Sequence, residues 1–186
     1  MSAKAKLSRV TDWFGKWEKG NIELPISPDR VIASRFKVAE DLEFEAGKAV
    51  IYAWMKGIVP NKQVDFSVFS DEAGKPKNLV NVGLSKPIIP TVLSLVGTRL
   101  QNAISWIKDE YYWLAMIVNS DAKYYADAGE TNQWARCLDY WQNGFGDPWD
   151  SDEGGTEVYA DYAVSIHILI NEVDLPSPLK VKGDDQ

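Results

Sequence analysis

Histidine, cysteine and clustered carboxylates are the usual raw material of catalytic and metal sites, and this chain supplies them unevenly. It holds one histidine, His167, and one cysteine, Cys137. Nucleophilic catalysis needs a base beside the nucleophile, and neither residue has a partner near it in sequence. His167 sits inside the apolar run Val164 to Ile170 and reads as a buried structural residue. Cys137 lies beside Trp134, Leu138 and Trp141 and reads as a small core residue, with nothing nearby to lower its pKa. Zinc-type sites need several His and Cys ligands. No catalytic residue, no metal ligand and no cofactor is therefore assigned.

Carboxylates are more suggestive. The stretch Asp150-x-Asp152-x-Gly154-Gly155, with Asp161 further on, partly matches a helix–loop–helix calcium loop. It departs at the fifth position, which is Gly154, at the eighth, which is Glu157, and at the twelfth, which is Asp161 rather than Glu. A solvated acidic loop is the simpler reading. Gly144-x-Gly146 lacks the strand and helix that a phosphate-cradling loop requires. Glu43 and Glu45 alternate with Leu42 and Phe44, as on the wet face of a strand.

What stands out is acid mixed with aromatic side chains. Residues 1–90 carry 14 Lys/Arg against 11 Asp/Glu, whereas residues 91–186 carry 6 against 16. Five Trp and seven Tyr lie between Trp106 and Tyr162. Trp and Tyr provide large contact area at small conformational cost, and surrounding carboxylates steer a basic partner. The loop centred on Trp149 concentrates both properties, in Phe145, Asp147, Trp149, Asp150, Asp152 and Glu153. These six are the candidate protein-binding residues. Half-buried aromatics covering a core, kept soluble by acids, would explain the same composition.

Length and composition bound the alternatives. The chain has 186 residues, 45% hydrophobic and 25% charged, which suits one globular domain and not a disordered chain. A single cysteine points to a reducing compartment or to indifference to redox state, and the cytoplasm is the expected location. The basic N-terminus lacks the apolar stretch of a signal peptide. Apolar runs such as Pro87 to Thr98 fall short of the roughly 18–20 residues that cross a bilayer. No basic stripe interleaved with aromatics is present, so direct nucleic-acid binding is not expected. Nor is a membrane partner.

The elements that would position the loop read as an α+β fold. Leu7, Val10, Phe14 and Trp17 predict an N-terminal helix over residues 1–20, closed by Gly20. Residues 21–90 read as mainly β, a four- to five-stranded, mostly antiparallel meander. Its clearest strands hold Val64, Phe66, Val68 and Val80, Val82, Leu84, separated by the turn-like Ser70 to Asn78. Over residues 30–57 a helical period also fits, and strand and helix both stay open there. Residues 91–175 read as mainly α, a group of three to four helices. The longest would run over 92–118, burying Leu93, Leu100, Ile104, Ile107 and Leu114 at three-four spacing. Others would cover 122–128, Thr131 to residue 143, and Tyr159 to Val173; a tail would occupy 176–186. No linker divides the chain.

These readings favour a non-enzymatic protein-binding module, an acidic inhibitor or immunity-type protein occupying a basic surface of another protein. A viral or other macromolecular assembly component remains open, as does an enzyme with an unrecognised carboxylate-based site.

Overall fold

The computed structural model describes residues 12–139, 141–142, 144–147, 149 and 158–170. Among them are sixteen β-strands and no helix. In chain order these are β1 (Asp12–Gly15), β2 (Ile22–Ile26), β3 (Arg30–Lys37), β4 (Leu42–Phe44), β5 (Ala49–Gly57) and β6 (Lys62–Glu72). There follow β7 (Lys75–Val82), β8 (Ile88–Ile89), β9 (Ser94–Arg99), β10 (Ile104–Trp106) and β11 (Tyr111–Val118). The last five are β12 (Ala122–Ala128), β13 (Trp134–Leu138), β14 (Val158–Ala160), β15 (Tyr162–Val164) and β16 (Ile166–Ile170).

Two antiparallel sheets face each other. The first has the order β1-β16-β5-β12-β15, with β9 on β5 and β2 on β12. The second has the order β14-β13-β3-β11-β6-β7, with β8 on β6. A separate ribbon pairs β4 with β10.

Side-chain alternation explains the layering. On β5, Ala49, Ile51, Ala53 and Met55 are buried while Val50, Tyr52 and Trp54 are half-buried on the other face. Ile166 and Ile168 continue that inner surface from β16, and Ile32, Val64, Phe66, Val68, Leu114 and Met116 meet them from the second sheet. The second sheet is also covered on its outer face. There Val31, Ala33, Phe69, Trp113, Ala115, Ile117 and Cys137 form a second buried cluster. The β6–β7 hairpin turns at Ala73 and Gly74, whose φ values of 54° and 81° are those of a two-residue turn matched to strand twist. Its paired ends, Glu72 and Lys75, fall within the Ser70 to Asn78 turn expected from sequence.

The α+β expectation is corrected to an all-β sandwich. Strands do occupy residues 30–57, as β3, β4 and β5, so the helical alternative there falls away. Residues 92–118 are not a helix but three strands, β9, β10 and β11. Leu100 and Leu114 are buried, yet Leu93 and Ile107 are 39% and 58% exposed, which a continuous helical face would not allow. The expected helices at 122–128, 131–143 and 159–173 are replaced over their described parts by β12, by β13, and by β14, β15 and β16. A strand buried on both faces reads as an unbroken apolar run, through which a three-four spacing can be drawn. Residues 1–11 of the expected N-terminal helix and the 176–186 tail lie outside the described residues. From Asp12 to Gly15 the chain is strand, paired with β16.

Candidate functional site on the outer face of the second sheet

The segment leaving β13 does not project from the sandwich; it lies down along its outer face. Asp139 and Trp141 donate their backbone N–H groups to the carbonyls of Asp29 and Pro28, at 3.2 Å each. Asp139 is buried, and its Oδ2 accepts the N–H of Gly146 at 3.1 Å. Gly144, at φ 77°, supplies the left-handed turn that sends the chain back across the sheet.

The far end of this strap is pinned to β7. Trp149 donates its backbone N–H to the Lys77 carbonyl at 2.7 Å, and Asp147 Oδ1 accepts the Leu79 N–H at 2.9 Å. Both β7 groups point away from β6, so the strap satisfies an otherwise open sheet edge. The Trp149 ring meets Phe69 edge-on at 5.0 Å, and Phe145 meets the same ring at 6.2 Å. Trp149 is 7% exposed and Phe145 half-buried.

Of the six residues singled out by sequence, Phe145, Asp147 and Trp149 are thus brought together, while Asp150, Asp152 and Glu153 lie outside the described residues. Asp147 is exposed and keeps its second oxygen for another donor. Trp149 faces the protein, so its part is to hold the strap in position. Trp113, which would have suited a contact surface, is fully buried. Asp161, the twelfth position of the partial calcium-loop pattern, accepts the Asn132 N–H at 2.8 Å and its carbonyl accepts the Gly129 N–H at 2.9 Å.

Two polar constellations elsewhere escaped the sequence reading. Arg35 forks onto Asp71 (Nε–Oδ1 2.7 Å, NH2–Oδ2 2.9 Å), Trp113 Nε1 donates to the same carboxylate at 2.8 Å, and Tyr111 stacks under the guanidinium at 3.8 Å. This is a satisfied clamp across β3, β6 and β11. On the outside of the first sheet, His167 is fully buried between Tyr52, stacked at 5.5 Å, and the edge of Trp17 at 4.6 Å. Neither ring nitrogen has a hydrogen-bond partner among the described residues. Burial pushes the His167 pKa down to about 4, against the opposing backbone of Lys16 and charge of Glu18. Both constellations join residues far apart in sequence, so no local spacing announces them. Cys137 is buried, as expected.

Among the described residues no group of three or more His, Cys, Asp or Glu is arranged to hold a metal ion. The class that fold and site define is an antiparallel β-sandwich with an aromatic-anchored acidic strap on the outer face of its second sheet. No protein-family model matches the chain, and no curated protein matches it either.

Proposed function

We propose that this protein is a non-enzymatic binding module of the inhibitor or immunity type, whose acidic strap occupies a basic surface on a partner protein. The observation that carries the reading is the pinning of Phe145 to Trp149 on a rigid sheet, directly before the crowded carboxylates Asp150, Asp152 and Glu153. Four carboxylates within seven residues repel one another and contribute little to folding. A cationic surface relieves that repulsion, and an anchored base lowers the ordering cost of binding. The excess of acid over the whole of residues 91–186 extends the attraction beyond the contact.

The test uses the intact chain, cross-linked in its host cell so that the captured protein can be purified and its binding kinetics measured. Association should be fast and should slow steeply as salt shortens the Debye length below roughly 8 Å. Asp147→Asn combined with Asp150→Asn and Asp152→Asn should lower the association rate about tenfold or more, while leaving stability unchanged or slightly higher. Binding that ignores both salt and the triple substitution would remove the strap from the functional account.

A further inference from the structure

One end of the sandwich carries a concentration of exposed aliphatic side chains. Eight large apolar residues are exposed among the described residues, and five of them are Ile58, Val59, Ile88, Val92 and Leu93, at 57%, 40%, 56%, 66% and 39%. They come from two segments about thirty residues apart, 58–61 and 88–93. The loops are bound side by side. Gly57 donates its N–H to the Pro90 carbonyl at 2.7 Å, Val64 donates to Pro87 at 3.1 Å, and β8 pairs with the start of β6. Ile89 is fully buried, which fixes β8 so that Ile88 points outward.

Charge is arranged around this tip in a definite order. Lys56 and Lys62 stand on the two arms of the first loop, immediately behind Ile58, Val59 and Pro60. Lys123, facing Lys56 across the β5–β12 pair, and Lys86 stand behind them as well. Lys123 is paired with Glu23, and Lys86 with Asp65 at 3.1 Å. Lys56 and Lys62 form no ion pair among the described residues, and the exposed Asp121 adjoins Ala122, which faces Gly57. The tip is therefore aliphatic outermost, with cations set back from it, on a molecule of net charge −7.

We propose that this tip inserts into the surface of an anionic lipid bilayer. The order of groups along the axis matches the order in a leaflet: acyl chains take Ile58, Val59, Ile88, Val92 and Leu93, and the phosphate plane takes Lys56 and Lys62. Hydrogen bonds between the loops already satisfy part of the tip backbone, which hydrocarbon would otherwise penalise. Prolines 60, 87 and 90 hold both loops, so insertion requires little ordering. A protein partner is the poorer fit, because the tip offers neither the aromatics nor the arginines that dominate protein hot spots. The expectation of no membrane contact rested on the lack of a long apolar segment; this surface exists only after folding joins two short ones.

Flotation of the intact chain with vesicles decides the matter. The protein should float with phosphatidylcholine vesicles containing about a third phosphatidylserine, and not with phosphatidylcholine alone. Ile58→Asp with Val92→Asp should reduce partitioning at least tenfold. Lys56→Gln with Lys62→Gln should reduce it roughly twenty-five-fold, at about five-fold per lysine. Leu84→Asp, an exposed control near Gly47 on the other end of the sandwich, should change nothing. Near-ultraviolet circular dichroism checks that each variant is folded. The proposal is overturned by failure to float with either vesicle at low salt, or by flotation indifferent to the tip substitutions. Tip substitutions that weaken capture of a protein while vesicles are ignored also overturn it, in favour of a protein dock.

Discussion

His167 shows how a single side chain can tie folding to pH. Its surroundings are set by three elements: Trp17 in the segment after β1, Tyr52 on β5, and the neighbouring positions of β16. Tyr52 stacks on the ring, and the Lys16 backbone and the Glu18 charge oppose the shift without outweighing burial. In the unfolded chain the imidazole titrates near its ordinary value of about 6.5, whereas in the folded protein it stays neutral down to about 4. Between those values the unfolded state binds the extra proton, so stability falls as pH falls, with a slope approaching 1.4 kcal/mol per pH unit. Above pH 6.5 the group has no effect. Denaturant midpoints measured from pH 8 to pH 4 should therefore decline in that window, and His167→Phe should flatten the decline. Equal slopes for the two proteins would show that His167 is hydrated in the folded state. The sequence made its burial legible, because apolar residues flank it on both sides. It could not show Trp17 and Tyr52, which approach from remote strands.

Trp149 makes the corresponding case for elements. Its ring and backbone bind the strap to Phe69 and Lys77, across two strands. Trp149→Ala should cost roughly 3–5 kcal/mol if the cavity stays open and less if the strap peels away. Hydrogen exchange distinguishes these outcomes: peeling exposes the Leu79 N–H, which Asp147 otherwise covers, while amides deep in β11 stay protected. Uniform loss of protection would mean that the strap is integral to the whole sandwich. The clustering of Phe145, Asp147 and Trp149 was visible in the sequence as composition, but its orientation was not. Strand identity was legible where apolar and polar residues alternate, as at Val64, Phe66 and Val68 of β6, whereas the unbroken apolar run of β5 left strand and helix both open. It was lost in β11, Tyr-Tyr-Trp-Leu-Ala-Met-Ile-Val, because the strap and the opposite sheet bury both faces and erase alternation. The glycine and the asparagine–glutamine break at Gly97, Gln101 and Asn102 were the signals against one long helix.

The whole molecule is held by pairings that are long-range in sequence. Asp12 lies opposite Ile170, and Arg35 opposite Trp113. Closing such loops precedes the contacts that reward it, so sandwiches of this kind fold in milliseconds to seconds. Stopped-flow refolding monitored by Trp fluorescence should fall in that range; microsecond relaxation would imply that a local hairpin governs the rate. At this scale the sequence revealed charge imbalance between its halves but not its geometry. Lys56 and Lys62 flank one loop and Lys86 precedes another segment, and folding alone brings the two segments together.

The pairing of β5 with β16 has a consequence for synthesis on the ribosome. Ile51 faces Ile168, so one side of a central, strongly apolar strand stays without its partner until more than a hundred further residues have been made. At roughly 5–20 residues per second that interval is on the order of ten seconds. Throughout it the nascent chain presents an open edge rich in Val, Ile, Tyr and Trp to every other chain nearby. A chaperone that shields Ala49 to Met55 during translation would raise the yield of native protein, and slowing translation without one would lower it.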